Sequence, residues 1–144
     1  QPVRSKEQNA IVQVKKRIDA MSEDYIQVTI TLSDPQLDDE RLQEAVQNLC
    51  LEVEEVEGVR QADLIPSEEV PPEAKSLGGF LLGKLKALVD IKHFKTLVEA
   101  LGNRLFGQTI EIEAEGKGKK VKIKIRRPQD LDAVMPQVND FING

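Results

Sequence analysis

Apolar and polar residues alternate through Tyr25–Leu32 (YIQVTITL), with Ile26, Val28, Ile30 and Leu32 on one side, which predicts a half-buried strand. Ser33-Asp34-Pro35 breaks it. From Asp38 or Asp39 to about Val53 the period becomes helical, with Leu42, Ala45, Val46, Leu49 and Val53 as the buried stripe. Gly58 ends that unit, and Val59–Ile65 reads as a second strand. Two strands joined by one helix predict a βαβ unit with parallel pairing and a right-handed crossover. Upstream, Ile11, Val14 and Ile18 recur at helical spacing behind a capping Ser5, so residues 1–22 read as an N-terminal helix or linker.

Pro66–Ser76 (PSEEVPPEAKS) reads as loop, because its prolines donate no backbone hydrogen bonds and Pro71-Pro72 favours an extended, solvated path. The apolar stretch Leu77–Gly107 follows and reads as two helices, about Leu77–Val89 and Ile91–Leu105, the second striped by Phe94, Leu97, Val98, Leu101 and Leu105. Thr109–Glu115 and Lys119–Arg126 alternate strictly and predict a hairpin. A turn centred on Gly116-Lys117 sets Ile112 against Val121, Ile110 against Ile123, Glu113 against Lys120 and Glu111 against Lys122. Pro128 begins a last helix with Leu131, Val134, Val138, Phe141 and Ile142 inside, and Pro136 should kink it. The fold expected is α+β: a four-stranded mixed sheet, the βαβ unit plus the C-terminal hairpin, covered by helices. Residues 23–144 form its single domain.

Charge sharpens this picture. Residues 1–22 hold five basic and two acidic side chains, and residues 23–76 hold fifteen acidic against three basic. Residues 77–107 come to +3 and residues 108–144 to +1. No dense basic face emerges, which argues against nucleic-acid binding. The acidic part either lies against the cationic helices or is simply solvated. Aromatic content is 3% with no Trp, so the core is expected to be Leu, Ile and Val. A single cysteine excludes an internal disulfide and a cysteine-based zinc site, and fits a reducing cytosol. No apolar run reaches membrane-spanning length and no signal peptide is visible. The start at Gln1 rather than Met marks a trimmed chain or a piece of a longer one.

Candidate chemistry is sparse. His93, the only histidine, sits mid-helix by this reading, and a dyad with Cys50 would need them to converge. Cys50 reads instead as a small buried hydrophobe. Asp34, Asp38 and Asp39 lack the glycine and terminal glutamate of a calcium loop. Gly78, Gly79 and Gly83 lack phosphate-loop spacing and follow no strand. The chain therefore reads as non-enzymatic, with no catalytic residue, no metal and no cofactor expected.

The succession of a first strand and helix, EEVPPEAKSLGG, an apolar pair, IEIEAEGKGKKVKIKI and RRPQDLDAVMPQV resembles the effector-associated constant component family. These are small bacterial domains encoded beside protease or other effectors in immune (biological conflict) systems. The resemblance runs from about Tyr25 to Ile142. It implies a non-catalytic cytoplasmic component of antiviral defence, partnered with or acted on by a caspase-like or trypsin-like protease.

Two functions stay open. In one, the chain docks a protease-type effector through the acidic first helix (Asp39, Glu40, Glu44) and the loop, with Arg60, Glu68, Glu69, Pro71, Pro72 and Lys75 as binding or cleavage positions. In the other, cleavage between residues 60 and 76 frees a membrane-permeabilising segment. Its candidate residues are Gly79, Phe80, Leu81, Leu82, Leu85, Leu88, Phe94 and Leu97. A third reading makes that segment core, with lysines reaching outward. The partner, the trigger and the oligomeric state are not encoded in any motif.

Overall fold

A computed structural model describes residues 25–67, 75–104 and 107–143. The predicted N-terminal helix and Glu68, Glu69, Pro71 and Pro72 lie outside the described residues. In chain order the elements are β1 (Tyr25–Ser33), α1 (Asp39–Glu54), β2 (Val59–Pro66), β3 (Ser76–Leu77), β4 (Phe80–Asp90), a 3-10 turn (Ile91–His93), α2 (Phe94–Asn103), β5 (Thr109–Gly116), β6 (Lys119–Ile125) and α3 (Asp130–Asn143).

The strands form one six-stranded sheet in the order β2-β4-β1-β5-β6, with the short β3 paired to the start of β4. Every pairing is antiparallel. The α+β class stands, but the four-stranded mixed sheet does not. Its main error is at Leu77–Val89, which is the end of β3, a Gly78-Gly79 turn and β4 rather than helix. Along β4, Leu81, Gly83, Leu85, Ala87 and Val89 are buried while Leu82, Lys84, Lys86 and Leu88 face the other way. Leucines on both faces hid the period of two, although Lys84 and Lys86 keep it.

Inserting β4 also overturns the parallel pairing. β1 and β2 run in the same direction across the α1 crossover, yet each pairs antiparallel with β4, which lies between them. The succession β1-α1-β2-β4-α2-β5 with spatial order β2-β4-β1-β5 is the split βαβ, or ferredoxin-like, arrangement. Here β6 and α3 extend it.

The hairpin register differs from expectation by two residues. Ile112 pairs with Ile123, Ala114 with Val121, Glu113 with Lys122 and Glu111 with Lys124. The turn is Lys117-Gly118, both at positive φ (55° and 74°), as a two-residue type I′ turn requires. A shift of two keeps each side chain on its face, so alternation alone could not select the register.

The helices cover one face. Ile26, Val28, Ile30, Leu85, Val89, Ile110, Ile112 and Ile125 meet Val46, Leu49, Val53, Phe94, Leu97, Leu101 and Val138 in one core. Phe94 of α2 and Phe141 of α3 meet edge to face at 5.5 Å. At Gly102 a methyl group would lie 2.6 Å from the Leu131 side chain, which would have to shift to admit it. α3 runs through Pro136, which is exposed.

Candidate functional site

One candidate surface lies where α1 passes the β3–β4 turn. Asp38 caps α1, its Oδ1 accepting from the Arg41 amide at 2.8 Å. Asp39 and Glu40 then place carboxylates in the first turn, where unpaired N–H groups favour them. Glu40, Glu44, Gln47 and Leu51 follow at intervals of four, three and four along one exposed stripe. Leu51 is 64% exposed.

The opposite wall is apolar. Gly78 and Gly79 sit at φ +64° and +87°, making the tight β3–β4 turn that delivers Phe80 to the surface. Between the walls runs a shallow open groove of ≈ 300 Å³, lined by Glu40, Gln43, Glu44, Gln47, Leu77 and Phe80.

Gln43 binds the walls together. It is the one buried polar or charged residue among the described residues, 5% exposed. Its Nε2 donates to the Leu81 carbonyl at 3.2 Å, and its Oε1 accepts from the Gly83 amide at 2.9 Å. Lys75 Nζ meets Asp39 Oδ2 at 3.1 Å, an exposed pair that adds little stability. An acidic wall facing an apolar one suits a segment that carries both basic and apolar side chains.

Nucleophilic chemistry finds little support. His93 ends the 3-10 turn, with its ring against Gly58, where a methyl group would fall 2.3 Å from it. Its Nε2 lies 3.5 Å from Glu57, its Nδ1 lies 3.8 Å from Asp90, and Nδ1 is buried without a hydrogen-bond partner. Cys50 sits elsewhere, on the inner side of α1. Burial, then the charges of Glu54 and Asp63, push its thiol up to about 11, so it stays protonated and unreactive near neutrality. The structure does not assemble the dyad. Among the described residues no group of His, Cys, Asp and Glu could hold a metal ion.

No family model, curated protein or solved structure matches this chain.

The predicted positions separate. Arg60 lies within β2, its guanidinium 5.9 Å from the Tyr25 ring centre, so the loop begins only after Pro66. Lys75 pairs with Asp39 at the start of α1. Gly79, Phe80 and Leu82 mark the β3–β4 turn and the open face, where Leu88 also lies. Leu81, Leu85, Phe94 and Leu97 are buried. The proposed membrane segment is thus not one amphipathic surface, and among the described residues no helix is long and apolar enough to cross a membrane. Sequence reasoning missed Gln43. A glutamine on the inner stripe of a helix, between Leu42 and Val46, was the available signal.

Proposed function

We propose that this chain is a protein-docking module without catalytic chemistry of its own, acting in a prokaryotic defence system beside a protease-type effector. The observation that carries docking is the groove itself, with Glu40 and Glu44 facing Phe80 and Leu77. Acidic side chains give orientation and on-rate, while an exposed aromatic gives a desolvated anchor. The defence setting and the protease partner rest on the resemblance of the feature order.

The test is calorimetric binding to the protease-type effector encoded beside this chain. Glu40→Lys with Glu44→Lys, and separately Phe80→Ser, should each weaken binding tenfold or more, a change of about 1.4 kcal/mol. Wild-type affinity in both would remove the groove from the interaction. Absence of any binding would remove the effector reading itself.

The membrane reading needs β4 to leave the sheet between β1 and β2, taking buried Leu81, Leu85 and Val89 with it. Leakage from dye-loaded anionic liposomes only after a cut within residues 67–75 would favour it over docking.

A further inference from the structure

On the face of the sheet turned away from the helices, the central row carries a charge pattern that is its own complement. Asp63 on β2 pairs with Lys86 on β4, Lys86 with Thr29 on β1, Thr29 with Glu113 on β5, and Glu113 with Lys122 on β6. Read across the sheet, that row is negative, positive, neutral, negative, positive. The adjacent row runs Lys84, Thr31, Glu111, Lys124, or positive, neutral, negative, positive. A third row, Gln61, Leu88, Gln27, Glu115, Lys120, is charged only on β5 and β6 and sets Glu115 and Lys120 against neutral positions.

We infer that this face binds a second copy of the chain, sheet against sheet, about a two-fold axis running along β1. Such an axis reverses each row and leaves position along the strands unchanged. Asp63 then faces Lys122 of the second copy, Lys86 faces Glu113, Lys84 faces Glu111, and Thr29 and Thr31 meet their equivalents. Every charged position in the Asp63–Lys122 row meets its opposite. A two-fold axis across the strands would instead stack β4 lysines on β4 lysines and β5 glutamates on β5 glutamates. The charges thus select one symmetric arrangement and penalise the other.

Geometry allows it. Stacked sheets lie about 10 Å apart, a gap that facing lysine and glutamate side chains can span together. Aligned sheets cross at about 30°, and Lys86 and Glu113 stand only one strand, about 4.8 Å, from the axis. That crossing displaces the inner pairs by only about 2–3 Å, and the outer Asp63–Lys122 pairs by about twice as much. Within one copy, Lys122 Nζ reaches Glu111 at 3.3 Å and Lys84 Nζ donates to Thr31 at 3.0 Å. These lateral contacts would be exchanged in part for contacts across the axis. Because the contact is polar, association should fall as salt rises.

Sedimentation equilibrium of the whole chain tests the inference. A dimer should form at low salt and weaken tenfold or more at high salt. Lys86→Glu and Glu113→Lys should each abolish it, because each sets like charges across the axis. Mixed in equal amounts, the two variants should restore a heterodimer, since both central pairs become opposite again. Thermal melts confirm that each variant is folded. A wild-type monomer at low salt, or a dimer that either variant retains, overturns the proposal, as does failure of folded variants to rescue each other.

Discussion

The carboxamide of Gln43 bridges two backbone groups of β4, giving a hydrogen bond to the Leu81 carbonyl and taking one from the Gly83 amide. It does so where β4 is irregular. Gly83 has φ +73°, and the β2–β4 register shifts between Leu64 and Pro66. The strand cannot satisfy this stretch from its neighbours alone, so a helix side chain completes the ladder.

Gln43→Leu should therefore cost about 1–3 kcal/mol, because it strands a buried donor and a buried acceptor. Gly83→Ala should cost more than about 1 kcal/mol. Its methyl group would stand 3.0 Å from the Leu32 carbonyl oxygen, at a φ that side chains rarely adopt. Urea unfolding measures both. Hydrogen exchange at Gly83 should accelerate in Gln43→Leu before the rest of the sheet opens. Unchanged exchange there would separate the glutamine from the bulge.

Leu85 and Leu88 distinguish a strand from a helix in the apolar segment. Leu85 is fully buried between Ile30 and Leu64, whereas Leu88 stands on the open face between Gln27 and Gln61. Leu85→Ala should cost about 2–5 kcal/mol. Leu88→Ala should cost well under half of that in the same urea titration. A helix over Leu77–Val89 would place Leu81, Leu85 and Leu88 on one stripe and give them comparable losses.

The sequence was most legible where one period ran without interference. β1, α1 and the β5–β6 hairpin each carry a single face of apolar residues, and their extents agree with the structure to within a few residues. The β4 strand was illegible as a strand because Leu82 and Leu88 fill outer positions. A short apolar run of this kind is compatible with either period. Topology failed with it, since parallel pairing of β1 and β2 assumed that nothing separates them. The acidic wall of the groove was visible in Glu40 and Glu44. Its apolar wall was not, because Phe80 reaches the surface only through a β3–β4 turn that the helical reading does not contain.

The thiol of Cys50 supplies a test at high pH. Its folded-state pKa, about 11, lies above the unfolded value, so the folded protein holds this proton more tightly than the unfolded chain. Its contribution is present in full below the unfolded value of about 8.5 and is lost as pH rises through about 11. Iodoacetamide should label Cys50 slowly in folded protein at neutral pH and rapidly in urea. The stability of Cys50→Ala should fall less steeply than that of the wild type over the same alkaline range. Rapid labelling of the folded protein would show a thiolate that burial does not suppress.

Asp130 gives the opposite pH dependence at the joint between β6 and α3. Its Oδ2 accepts from the Arg126 amide at 2.9 Å and the Arg127 amide at 3.3 Å. The Arg126 amide first, then the Arg127 amide and both guanidinium charges, hold the carboxyl below its ordinary value. The folded protein therefore releases this proton more readily than the unfolded chain, and the stabilisation is present above the ordinary carboxylate value of about 3.9. It disappears as pH falls through the lower folded value. Asp130→Asn should accordingly be less stable than wild type at neutral pH, and the difference should shrink steadily on acidification. Asp132→Asn, in the same first turn of α3, supplies the comparison for a charge change alone. An Asp130→Asn loss that persists unchanged into strong acid would assign the effect to geometry rather than to the ionised carboxylate.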